Sequence, residues 1–145
     1  MASSITPPGA SRLAMVMATI YPTSQFVKDL VAEANEHIKT IPIAEAINCV
    51  DDPDTVFVDI RDVRELERDG LIPGAFHAPR GMIEFWVDSE SPYYKDIFGS
   101  GKKFYFYCAS AWRSALATKA VQDMGLLNVA HIEGGFSNWK KIGGP

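Results

Sequence analysis

Two runs of this chain are apolar or aromatic almost without a break: Thr55-Val56-Phe57-Val58-Asp59-Ile60 and Lys103-Phe104-Tyr105-Phe106-Tyr107. A strand with one face in water alternates polar and apolar residues. A strand that does not alternate is buried on both faces, which is the condition of a parallel sheet covered by helices on each side. The rest of the chain must therefore supply those helices. A single domain of 145 residues is large enough to bury such a core without disulfides or metal.

The intervening segments read accordingly. Thr23 or Ser24 is placed to cap a helix whose apolar positions Phe26, Leu30, Ala34 and Ile38 recur every four residues. Lys39-Thr40-Ile41-Pro42-Ile43 is an edge strand, because Pro42 cannot donate to a central ladder. A short helix follows over 44–49. Asp62-Val63-Arg64-Glu65 opens a helix with a capping box, and Gly70 stops it. Phe76-His77-Ala78 makes a very short strand, and a helical turn lies near 82–86. The strand over 103–107 leads to a helix expected to bury Leu116, Ala120, Val121 and Met124 and to end at Gly125. A strand over 128–132 and a closing helix bearing Phe136 and Trp139 complete the alternation. Strand–helix alternation predicts an α/β domain with a mostly parallel sheet, whose ligands sit at the strand ends.

One strand end carries chemistry. Cys108-Ala109-Ser110-Ala111-Trp112-Arg113-Ser114 links the strand over 103–107 to a helix. The first N–H groups of a helix have no intrahelical partner, and its dipole favours negative charge. A thiol delivered there is activated as a thiolate. Successive inward N–H groups of so short a loop form a nest for an anion. The loop predicts covalent cysteine chemistry on an anionic substrate.

Composition narrows the rest. The net charge of −4 gives no general attraction to nucleic acid or to an anionic membrane, so the pull on an anion must be local. No apolar run approaches the roughly 20 residues of a membrane span. The two cysteines, Cys49 and Cys108, make neither a disulfide framework nor a zinc motif. A reduced, cytoplasmic setting is expected, with no metal and no cofactor. Residues 1–20 are expected to be a flexible tail or arm, with one domain over 21–145. Residues 13–20 form a short apolar run suited to an arm that orders on packing, and two prolines ahead of it argue against a cleaved leader.

Three motifs together resemble a single-domain rhodanese. They are Asp59-Ile60-Arg61 followed by Gly70-Leu71-Ile72-Pro73-Gly74-Ala75-Phe76-His77-Ala78-Pro79; the loop from Cys108 to Ser114; and Glu133-Gly134-Gly135-Phe136-Ser137-Asn138-Trp139 with Gly143-Gly144-Pro145. The resemblance covers about residues 40–145. It implies a three-layer fold with a five-stranded sheet, and a catalytic Cys108 that cycles between thiolate and persulfide. In that reading Cys108 takes the outer sulfur of a small anionic donor such as thiosulfate. It then yields the sulfur to cyanide, a thiol or a protein acceptor in a ping-pong sequence.

Ala109, Ser110, Ala111, Trp112, Arg113 and Ser114 would form the substrate-binding loop. Arg113 would face the anionic donor or a carboxylate such as Asp59. Ser110 and Ser114 would donate hydrogen bonds, Ser114 with the option of capping the helix, and Trp112 would stand at the rim. Asp59 and Arg61 are expected to support the loop, with Arg61 and Arg80 adding local positive charge. Where the family most often has glycine this chain has Ala111, a strained choice if that position needs φ > 0. Cys49, His77, His131, Trp86 and Trp139 read as packing or core hydrogen-bonding residues. Two rivals are a persulfide carrier serving one protein partner, and a cysteine phosphatase or arsenate reductase. Cysteine phosphatases place one more residue between cysteine and arginine than this loop has.

Overall fold

Five strands, all parallel, form one sheet in the order β1-β5-β4-β2-β3. They are β1 (Thr40–Ile41), β2 (Thr55–Asp59), β3 (Phe76–His77), β4 (Lys103–Tyr107) and β5 (Val129–Ile132). The computed structural model describes residues 9, 11–20 and 26–145. Met1–Leu30 and Val31–Pro145 form separate compact units. In the first, Arg12–Ile20 is helix α1, and Ser11 Oγ accepts the Ala14 N–H at its start. Residues 1–8 and 10 of the expected tail, and the cap at Thr23 or Ser24, lie outside the described residues. Among the described residues no helix is long and apolar enough to cross a membrane.

The two continuous runs are the sheet's centre. Every residue of β2 is buried, and β4 is buried from Phe104 onward. Successive side chains of a strand point to opposite faces, and each face has its own helices. Val56, Val58, Phe104 and Phe106 pack with Ile83 of α5 (Ile83–Val87) and with Ala117 and Val121 of α6 (Trp112–Asp123). Phe57, Tyr105 and Tyr107 pack with Ala46 of α3 (Ile43–Asn48) and with Phe136 and Trp139 of α7 (Gly135–Lys141). Helix α4 (Val63–Asp69) opens on the expected capping box: Asp62 accepts the Arg64 N–H, and the Glu65 carboxylate accepts the Asp62 N–H.

Two helix faces differ from expectation. In α2 (Val27–His37) the buried residues are Val31 and Ala34, with Ile38 packed beside them, whereas Phe26 and Leu30 are exposed. In α6 the buried residues are Ser114, Ala115, Ala117, Thr118 and Val121, while Met124 is exposed and Leu116 and Ala120 are half-buried. The buried face of α6 is made of small residues, as close approach of a helix to a sheet requires. The large apolar residues that suggested the other face lie off it.

The register places what matters. Asp59 stands opposite Tyr107, and His131 of β5 stands between Phe106 and Thr40. Cys108, the residue after β4, thus leaves the sheet at its centre, flanked by the ends of β2 and β5.

Candidate active site

Cys108 continues the alternation of β4 and falls on the α6 side, clustered with Phe106 and Ala117. It is 1% exposed. Its Sγ accepts the backbone N–H of Ser114 at 3.3 Å. The loop carbonyls are pinned from the other side, where Phe136 N–H donates to Cys108 O (2.8 Å) and Ser137 N–H donates to Ala109 O (3.0 Å). Helix α7 approaches the loop so closely that a Cβ on Gly135 would lie 2.6 Å from Cys108 O. Ser110 is exposed and Trp112 is 50% exposed.

Ala111 is the only non-glycine residue with positive φ among the described residues, at φ 72° and ψ 3°, and it precedes the first turn of α6 with no side-chain cap. The position therefore demands what glycine supplies and alanine resists, because Cβ crowds the following carbonyl in the left-handed region. Ala111→Gly should raise stability by about 1 kcal/mol, read as a higher midpoint in urea. A lower midpoint would contradict a strained Ala111.

Arg113 does not face Asp59. Its Nη1 donates to Glu65 Oε2 at 2.8 Å and its Nη2 to Glu65 Oε1 at 2.9 Å, a two-point bridge from α6 to α4. The guanidinium side chain is 42% exposed and the carboxylate 20%. The Arg113 hydrogen bonds hold the Glu65 carboxyl down to about 2, against the burial that raises it. Asp59 instead forms a buried pair with Arg61: Nη2 lies 2.7 Å from Oδ2, with Nε and the Arg61 N–H bonded to Oδ1 at 3.0 Å. Burial opposes the Arg61 charge, and Asp59 outweighs it, so the guanidinium titrates above its ordinary value. Arg61 Nη2 also donates to Gly70 O, and its guanidinium lies 4.4 Å from the Phe136 ring centre. Phe136 is the residue whose N–H holds Cys108 O, so this pair meets the loop through α7 rather than directly. Arg80 pairs with Glu84. The local positive charge expected of Arg61 and Arg80 is thus neutralised in place.

Ser114 does not cap the helix, since it is the third residue of α6 and fully buried. Its Oγ lies 2.9 Å from His131 Nδ1. His131 Nε2 lies 3.1 Å from Thr40 Oγ1 and 3.1 Å from Asn35 Oδ1. Burial lowers His131 to about 4. The sequence marks Glu65 only as a capping residue and His131 as a strand residue with a core hydrogen bond to an unnamed partner. Their partners stand 48 and 17 positions away, respectively, so no local pattern links them to the loop.

The depressed His131 value makes the fold acid-sensitive. The unfolded chain binds a proton near the ordinary 6.5, the native one only near 4. Stability is therefore complete above pH 6.5 and falls as the pH drops towards 4, by about 3 kcal/mol in all. Glu65, ordinarily at 4.5, adds its own loss only below that value. Urea unfolding at pH 7, 5.5 and 4 checks this, and a flat profile would contradict a neutral, buried His131.

Comparison with known proteins fits the geometry. The rhodanese-like domain family matches residues 43–142. A solved structure of a Rhodopseudomonas palustris protein of unknown function, described as a possible tyrosine phosphatase, is 56% identical. It superposes with a TM-score of 0.82 over 84% of this chain and 94% of that one. A rhodanese domain-containing protein of Drosophila melanogaster is 25% identical over 109 residues, covering 72% of this chain and 91% of its own. A mitochondrial protein of Schizosaccharomyces pombe, provisionally named a thiosulfate sulfurtransferase, is 26% identical over 93 residues. These make up 61% of this chain and 65% of that protein.

Proposed function

The chain belongs to the rhodanese-like domain family, and on that premise we propose that it is a sulfurtransferase whose Cys108 carries sulfur as a persulfide. The observation that carries the reading is the nucleophile's seat: a thiol at the end of a central strand, its Sγ held by the Ser114 N–H in the first turn of α6. The thiolate attacks the outer sulfur of thiosulfate. The new S–S bond forms as the old one breaks, and its electron pair leaves with sulfite. The persulfide anion left on Cys108 stays in the same N–H environment, which suits its charge. Cyanide or a thiol then takes the outer sulfur and returns Cys108 as thiolate, so no oxidant is consumed and the cycle is ping-pong. Arg113 and Glu65 hold α6 to α4 and keep the loop closed. Asp59 and Arg61 support it through Phe136.

The half-exposed Trp112 favours a second form of this reading, in which the acceptor is a protein docking at the rim. That carrier would take one sulfur on Cys108 yet turn over thiosulfate and cyanide poorly until its partner is present.

A phosphatase is the other class, raised by the description of the Rhodopseudomonas palustris relative. Four residues separate Cys108 from Arg113, a tight nest for a tetrahedral phosphate, and the Arg113 guanidinium already carries a carboxylate. Incubation with thiosulfate followed by intact-mass spectrometry should show one added sulfur, placed on Cys108 by peptide mapping. Cyanide should remove it with release of thiocyanate. Hydrolysis of an aryl phosphate with no sulfur adduct would overturn the proposal.

A further inference from the structure

We infer that His131 is a positioning residue for the nucleophile: as the Nε2–H tautomer it anchors the Ser114 side chain and so aims the Ser114 backbone N–H at Cys108 Sγ. The ring's surroundings set the tautomer. Asn35 Oδ1, 3.1 Å from Nε2, is an amide oxygen and can only accept, so Nε2 carries the hydrogen. The Thr40 hydroxyl oxygen, also 3.1 Å away, accepts alongside it. In a neutral ring the other nitrogen then bears a lone pair. Ser114 Oγ, 2.9 Å from Nδ1, must donate to it. Burial at 2% exposure keeps the ring neutral, because an imidazolium there would lose its hydration.

The consequence lies at the sulfur. A hydroxyl has one proton, and Ser114 gives it to Nδ1, so Ser114 reaches Cys108 through its backbone N–H alone, at 3.3 Å. That N–H sits in a first turn that begins on a left-handed Ala111 without a side-chain cap and is tethered on its other side by the Arg113–Glu65 pair. His131 fixes the turn from the neighbouring strand β5, and Asn35 of α2 and Thr40 of β1 fix His131 in turn. The chain of contacts runs from the edge of the sheet to the nucleophile. It depends on the sulfur-transfer reading only for what the aimed sulfur does next.

The test reads the thiol directly. Wild-type protein with 15N-labelled histidine is expected to show by NMR, at pH 7, a neutral His131 ring protonated on Nε2. Iodoacetamide alkylation, followed by mass spectrometry, reports Cys108 against Cys49 in the same molecule. His131→Phe should slow alkylation of Cys108 relative to Cys49 by about tenfold, the weight of one hydrogen bond to a charged group. His131→Gln, whose amide oxygen can accept from Ser114, should recover most of that loss. A merely structural histidine would lower the melting temperature and leave the Cys108 to Cys49 ratio unchanged. A ring protonated on Nδ1, or an unchanged ratio in His131→Gln and His131→Phe alike, overturns the inference. If His131→Phe fails to fold, Ser114→Ala takes its place. It removes the hydroxyl that His131 anchors and keeps the backbone N–H, so it should slow Cys108 alkylation to a similar degree, and an unchanged ratio there overturns the inference. Failure of wild type to take sulfur from thiosulfate overturns the sulfur-transfer reading instead, and leaves the tautomer and the alkylation ratio standing.

Discussion

Cys108→Ser is expected to lower sulfur transfer from thiosulfate to cyanide by a factor on the order of 10⁴ or more, the scale at which covalent enzymes lose activity with their nucleophile. The chemistry leaves no substitute, because a hydroxyl oxygen at neutral pH is a poor nucleophile and cannot form a persulfide. Nothing nearby can replace it: Cys49, the other free cysteine, ends α3 and packs with the core on the opposite face of the sheet. The fold should survive, since a serine oxygen can still accept the Ser114 N–H that now reaches Sγ. Placing that hydroxyl in a site 1% exposed should cost about 1–2 kcal/mol. Thiocyanate formation and intact mass should therefore show no adduct, while thermal unfolding stays cooperative. Cys49→Ser should transfer sulfur like wild type. Equal turnover by Cys108→Ser and wild type would end the persulfide mechanism.

What could be read in the sequence was what local patterns encode. The unbroken apolar runs of β2 and β4 identified a parallel sheet because burial on both faces abolishes alternation. The Asp62–Glu65 capping box was legible because both of its hydrogen bonds lie within four residues. Cys108 was legible because a strand end and a helix start bracket it. The remainder of the site was not, because it is made by contacts across the sheet. Arg113 offers five donors to any carboxylate within reach, and the sequence supplied Asp59 as readily as Glu65. Only the fold, which leaves Asp59 buried under Arg61 and swings α4 beside α6, selects between them. His131 was legible as a core hydrogen-bonding histidine, but its partners were not until the pairing of β5 between β4 and β1 set it between Ser114 and Thr40. Helix α6 misled in a different way. Small residues carry little weight in an apolar count, yet they are what a helix buries when it lies close to a sheet.

Gly135→Ala is the second change with a large expected effect, and it separates two glycines that look alike in the sequence. Gly134 and Gly135 both have positive φ, 71° and 66°, so alanine at either position should lose about 1–2 kcal/mol to backbone strain. Their surroundings differ. A Cβ on Gly134 would lie 2.6 Å from Asn138 Cβ, which no rotamer change can move, so this position is crowded too, but by the first turn of α7 and not by the cysteine loop. A Cβ on Gly135 would lie 2.6 Å from Cys108 O and 2.8 Å from Ala109 O, both backbone atoms of the loop. Neither can retreat without breaking the bonds from Phe136 N–H and Ser137 N–H that seat the loop. Overpacking adds about 2 kcal/mol to the strain, for a total near 4 kcal/mol, or a fall in melting temperature of roughly 10–20 °C. The damage falls on the residue that must attack, so sulfur transfer should fail in Gly135→Ala even at temperatures where the variant is folded. Gly134→Ala, by contrast, should lose comparable stability to strain and to crowding against Asn138, yet keep most of its activity wherever it is folded. If folded Gly135→Ala proved as active as folded Gly134→Ala, the close seat of α7 against the cysteine loop would not be what holds the nucleophile in place.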